Sequence, residues 1–146
     1  MASIAETAAA RIASILTVAG IAAGRVYRDR TEAFAQAESP AVVVEIDAEE
    51  RGHYGGSQQR GAMFDLERSK VTFMLTYCTR SDDWQTALDG IRLEVHALLL
   101  NDDTLNELLQ GFKAESTNWQ AVTADTPFAS ITQRYGGTAM LSANQL

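Results

Sequence analysis

The order in which two hydrophobic periods alternate constrains this chain more than any single motif. A segment with helical spacing comes first, then runs with strand spacing, then the strongest helical stripe and a short helix, then two more strand runs. Helix period is 3.6 residues and strand period is 2, so a segment written for one cannot bury its apolar side as the other. The resulting order, α-β-β-β-α-α-β-β, has short hairpin-like connections. It predicts an α+β fold: an antiparallel or mixed sheet with two main helices on one face.

Each segment carries its own signals. Ser3-Ile4-Ala5-Glu6 has the form of a capping box, and Ile4, Ala8, Ile12, Ile15, Leu16 and Ala19 follow at helical spacing until Gly20 and Gly24. Arg25-Val26-Tyr27-Arg28-Asp29-Arg30 reads as a basic turn. Pro40 then leads a strand, Ala41 to Ile46, apolar on both faces at first and half-exposed at its end. Glu50 to Gly61 holds four glycines together with His53, Tyr54, Gln58, Gln59 and Arg60, and predicts a long mobile hairpin loop. Phe64 and Leu66 share one parity, and Val71, Phe73, Leu75 and Tyr77 the other. A bulge between Glu67 and Lys70 would reconcile them.

Ser81-Asp82-Asp83 opens the second main helix with acids at the positive end of its dipole. Trp84, Ala87, Leu88, Ile91, Val95, Leu98 and Leu99 form its apolar stripe, which predicts Trp84 to be a core residue. Asn101-Asp102-Asp103 restarts a short helix that Gly111 ends. Strands over 112–124 and 128–141 follow, joined by a turn at Asp125-Thr126-Pro127.

Composition narrows the function. With 146 residues, 46% hydrophobic and 21% charged, the chain suits one globular domain with a proper core. Its net charge of −7 argues against sequence-specific binding of nucleic acid, although an acidic surface suits the wall of a channel through which DNA passes. The single cysteine, Cys78, allows no internal disulfide and fits a reducing compartment such as the cytoplasm. The apolar stretch from Ala8 to Gly24 is interrupted by Arg11 and is too short to span a bilayer, so no membrane role is expected, and it lacks the basic start of a signal peptide.

The residues that carry chemistry elsewhere form no constellation here. His53 and His96 are the only histidines, and neither sits at metal-ligand spacing, so no metal is expected. Cys78 is followed by Asp82 and Asp83, the wrong sign to activate a thiolate, and reads as a buried strand cysteine. The Asp pairs are explained by helix capping. Gly52-His53-Tyr54-Gly55-Gly56 lacks the Gly-Lys-Ser/Thr ending of a phosphate loop and leads into a strand. No catalytic residue and no cofactor is expected. What remains is suited to contact between proteins. Arg25, Tyr27, Arg28 and Arg30 form a basic patch that would face a neighbour's acids. His53, Tyr54 and Arg60 project from the polar loop. Trp119 stands among polar residues as an aromatic anchor.

The N-terminal helix, Arg-Val-Tyr-Arg-Asp-Arg, Ser-Pro-Ala-Val-Val-Val-Glu, the polar loop, the Val71-to-Tyr77 strand, the acid-capped helix from Asp82 to Leu100 and the closing strand from Phe128 to Leu141 together resemble a siphophage tail terminator, the lambda-type minor tail protein. The resemblance covers nearly the whole chain as a single domain, 1–146, and lies in order and texture. It implies an α+β protomer that assembles as a homo-oligomer, a hexameric ring seated on the last ring of tail tube protein. Such a ring ends polymerisation and offers its other face to a head-completion or neck protein, at the head-proximal end of the tail in the virion. The family has no catalytic residues. A neck or head–tail connector protein shares the same pattern. A small ligand-binding domain or enzyme using the Gly-rich loop and Cys78 is the reading from a different class.

Overall fold

The computed structural model describes residues 3–29, 38–53, 66–81, 83–122 and 128–142. In chain order the elements are α1 (Ile4–Val18), a short 3-10 turn (Ile21–Gly24), β1 (Val26–Arg28), β2 (Ala41–His53), β3 (Leu66–Thr79), α2 (Trp84–Leu100), α3 (Asp103–Leu108), β4 (Gln110–Val122) and β5 (Phe128–Ser142). The strands form one mixed sheet in the order β1-β2-β3-β5-β4. β1 and β2 are parallel and every other pairing is antiparallel.

The strand alternation decides which side the helices cover. Val71, Phe73, Leu75 and Tyr77 on β3 point to one face with Val42 and Val44 on β2 and with Ile131 and Tyr135 on β5. All are buried, and they share one core with Ala5, Ala8, Ala9, Ile12 and Leu16 of α1 and with Leu88, Val95 and Leu99 of α2. α1 packs over β1 and β2, whereas α2 packs over β3, β5 and β4. The opposite, helix-free face carries a small second cluster, Ala41, Val43 and Cys78, with Tyr27 and Phe128 against it.

Local chemistry sets the helix ends. The Ser3 side chain accepts from the Glu6 backbone N–H at 3.1 Å, the first half of the expected box. Asp102 caps α3, accepting from the Leu105 N–H at 3.0 Å, and holds Arg11 of α1 in a two-pronged ion pair at 2.7 and 3.1 Å. After α1 the chain reverses through left-handed residues at Gly20, Ala22, Ala23 and Gly24. Two alanines are held in this disfavoured conformation next to Ile21, which precedes them and is buried in the core.

The structure corrects five expectations. The basic segment is not only a turn, because Val26 to Arg28 is a strand that pairs with Val42 to Val44. The expected loop begins later, since β2 continues to His53, and residues 54–61 lie outside the described residues. No bulge interrupts β3 between Glu67 and Lys70, where pairing with β5 is continuous. The irregularity falls instead in β2 between Ile46 and Ala48, and the extra residue, Asp47, meets Arg134 at 3.2 Å across the sheet. Asp83 stands at the N-cap of α2 but makes no capping bond, since its carboxylate is taken by the Ser81 hydroxyl. Finally, Trp84 is half-buried rather than a fully buried core residue. At the first position of α2 it lies beyond the sheet's centre and leans on Trp119, ring centroids 6.0 Å apart.

Candidate assembly surface

Of the sequence-predicted contact residues, Arg25, Tyr27 and Arg28 fall at one edge of the sheet and Trp119 at the other. At the β1 end, Arg25 donates from Nε to the Pro40 carbonyl at 2.8 Å and from Nη2 to the Ser39 carbonyl at 3.3 Å. It thereby ties the start of β1 to the start of β2. Register places Arg28 on the helix side, where its guanidinium meets the Glu6 carboxylate of α1 with two bonds of 3.0 Å. That paired geometry is the strong form of the interaction. The Arg28 hydrogen bonds hold the Glu6 carboxyl below its usual range, and Glu6 in turn raises Arg28. Tyr27, the residue before Arg28, points to the other face and packs on Ala41, Val43 and Cys78.

At the other end, β4 is an edge strand thirteen residues long. Its first part is irregular. Gly111, at a φ of +65°, and Glu115 lie within two register shifts against β5. Glu115 turns across the bare surface of Gly136 to reach Lys70 at 3.2 Å. From Ser116 to Val122 the pairing with β5 is regular. Trp119 points to the helix side and remains 40% exposed. The Arg92 guanidinium lies 5.5 Å from its ring centroid while Asp89 grips the same guanidinium at 2.6 Å. Beneath, the buried Gln133 accepts from the Thr117 hydroxyl at 2.7 Å and donates to the Ser116 carbonyl at 3.0 Å, fixing this stretch of β4 to the sheet.

Grooves open on the helix layer among the described residues. One is lined by Gln85, Thr86, Asp89, Gly90 and Trp119. Another, about 610 Å³, runs between α1 and α2 past Ile15, Val18, Ala97 and Leu98, with the Arg11–Asp102 pair in its wall. Val18 there is 86% exposed.

The groups that could do chemistry are set for packing. Burial pushes the Cys78 thiol up to about 11, so it stays protonated at neutral pH. His96 Nδ1 and the Tyr135 hydroxyl lie 3.1 Å apart, beneath α2, and burial raises Tyr135 to about 12. The Tyr77 hydroxyl is buried with no hydrogen-bond partner among the described residues, and desolvation raises its pKa well above the ordinary value. Among the described residues no group of three or more His, Cys, Asp and Glu side chains is placed to hold a metal ion, and no helix is long and apolar enough to cross a membrane.

The structure therefore brings Arg25, Tyr27 and Arg28 together and sets Trp119 at the opposite edge. Arg30, Tyr54 and Arg60 lie outside the described residues, and His53 ends β2 with its side chain outside them. Sequence reasoning missed the roles of Trp84 and Arg92 around Trp119. A signal existed, since Arg92 stands eight residues after Trp84 and so near the same helix face. The partner strand that places Trp119 beneath them had no such signal.

No family model matches the sequence, and no curated protein matches it. Among solved structures, the chain is similar in fold to a chain of the virion of a native gene transfer agent particle. The two are 10% identical, the alignment covers 93% of this chain and 94% of the other, and the TM-score is 0.50. A second solved chain is 15% identical over 92% of this chain and 95% of its own length, with a TM-score of 0.49.

Proposed function

We propose that this chain is a non-enzymatic structural subunit of a phage-type virion and, within it, the ring that caps the tail tube. The observation that carries the reading is the fold similarity, over 93% of this chain and 94% of the other, to a chain of a gene transfer agent virion. An independent support is the mismatch at the β4 end, where a long, exposed edge strand and an exposed tryptophan are left open. In this reading copies of the chain close into a hexameric ring on the last ring of tail tube protein and stop its growth. The opposite face receives a head-completion or neck protein, and DNA passes through the lumen. The protein is then found at the head-proximal end of the tail. Trp119 contributes to the subunit boundary, while Arg25 and Arg28 act mainly inside the subunit, holding β1 to β2 and to α1.

Light scattering of the purified chain, alone and mixed with tail tube protein, tests this together with electron microscopy of tails from a deletion strain. The expected result is a discrete ring or capped tubes, and over-long tubes when the chain is missing. A chain that stays monomeric with tube protein, in a strain whose tails keep normal length without it, refutes the cap. Binding to the head-completion complex but not to tubes would favour the neck protein instead.

A further inference from the structure

Both edges of the sheet are unusual, and they are unusual in complementary ways. On β4, Ser116-Thr117-Asn118-Trp119-Gln120-Ala121-Val122 carries no charge and no proline, and residues 116–121 are all exposed. Natural edge strands are blunted by charges, prolines, bulges or shortness. Here both irregularities lie before Ser116, and the regular stretch has none of these protections. At the other end, β1 covers only Val42 to Val44. Beyond that point β2 pairs, among the described residues, with β3 alone. This second edge, unpaired on that side among the described residues, carries Glu45, Asp47, Glu49 and Glu50.

We propose that β4 of one subunit adds as an antiparallel strand to the β2 edge beyond Val44 in the next copy, so that the sheet continues across the subunit boundary. The inference rests on the ring reading above and names its interface. Three observations select this partner. The first is direction. β2, β3, β5 and β4 alternate in sense, so β4 runs opposite to β2. Rotation about an axis along the strands preserves those senses, so β4 meets a neighbour's β2 antiparallel, the more favourable ladder. The second is charge. Pairing two β2 edges with each other would set their acids side by side, which is repulsive. Against β4 they meet an uncharged strand whose nearest carboxylate, Glu115, is already held by Lys70. The third is closure. The two edges are different surfaces at opposite ends of the sheet, the heterologous arrangement that generates rings.

Cross-linking tests the pairing directly. Asn118, Gln120, Ala48 and Glu50 are exposed, and their registers put all of them on the helix-free face. Double variants combine Asn118→Cys or Gln120→Cys with Ala48→Cys or Glu50→Cys. The native Cys78 is buried and takes no part. A disulfide requires Cβ atoms about 4 Å apart, so only a neighbouring pair in register closes. Circular dichroism establishes that each variant is folded. Under mild oxidation at least one double variant should give a ladder of dimer, trimer and higher species, while each single variant stays monomeric. Amides of residues 116–122 that exchange freely in the monomer should become protected on assembly. Efficient dimers from Asn118→Cys alone would mean that β4 pairs with itself and would overturn the proposal. A ring seen by light scattering with no ladder and no new amide protection would also overturn it while leaving the ring intact. Failure to form any oligomer, with or without tube protein, would remove the ring reading and this interface with it.

Discussion

The β1 end of the sheet and the β4 end hold two of the residue sets that looked most suited to protein contact, and the fold treats them oppositely. At the β1 end, among the described residues, three of the four guanidinium hydrogen bonds that join Arg25 and Arg28 to their own fold are 3.0 Å or shorter, and they involve Glu6 and the Pro40 carbonyl. At the β4 end, Trp119 has an aromatic neighbour and a cation beside it but still presents 40% of its surface to solvent. A cluster of like charge in a sequence thus says little about where its counter-charge lies. Glu6 is 22 residues upstream of Arg28, on a helix that the sheet brings across it. An isolated aromatic on a polar edge strand is harder to satisfy internally, because an edge offers cover from one side only.

The comparison can be broken most decisively at the closed end. Leu16 is fully buried on α1, the helix that packs over β1 and β2. Leu16→Ala should cost about 3 kcal/mol in urea unfolding, as for other buried leucines. A cost below about 1 kcal/mol would mean that α1 does not hold that end as described. Next in size is the double reversal Arg25→Glu with Arg28→Glu. Hydrogen bonds involving a charged group contribute roughly 1.5–3 kcal/mol when well shielded. These are partly exposed, so a loss of about 2 kcal/mol is expected. If this variant keeps its stability and fails only in assembly, the cluster faces a partner and the contrast between the two ends disappears.

Trp119→Ala should show the reverse pattern. Its ring contacts contribute about 1 kcal/mol to the stability of the folded chain. The melting temperature should therefore move little, while oligomer formation is lost. A large drop in melting temperature with assembly unchanged would make Trp119 a packing residue. The smallest effect concerns pH. The folded Glu6 carboxyl is held below its ordinary value of 4.5 by Arg28. The ion pair is therefore fully stabilising above that value and is lost as the pH falls through the depressed one. Glu6→Gln should lie slightly below the unmodified protein in stability at neutral pH and converge with it in acid. Curves that stay parallel throughout would show that the pair contributes nothing.

Much of the fold was legible because local periodicity and burial agreed. Val42, Val44, Phe73, Leu75 and Tyr77 alternate as buried strand residues should, and Leu88, Val95 and Leu99 follow a helical stripe. Trp84 misled because periodicity gives a side chain's direction around a helix axis but not how far along the axis the sheet extends beneath it. β1 was missed because a three-residue strand carries too short an alternation to register. The bulge was misplaced because either strand of a pair can absorb an extra residue. The pairing of Asp47 with Arg134, 87 positions away, has no trace in local pattern.

By itself the sequence determined the helix and strand periods, the caps at Ser3 and Asp102, the α+β class and the lack of a recognisable catalytic constellation. These follow from interactions between residues a few positions apart or from residue chemistry alone. Only the tertiary structure decided that Arg28 meets Glu6, that Trp84 and Arg92 flank Trp119, and which strands are left at the edges. Those outcomes depend on which strands become neighbours, a choice made by burying one continuous face of the whole sheet under both helices at once.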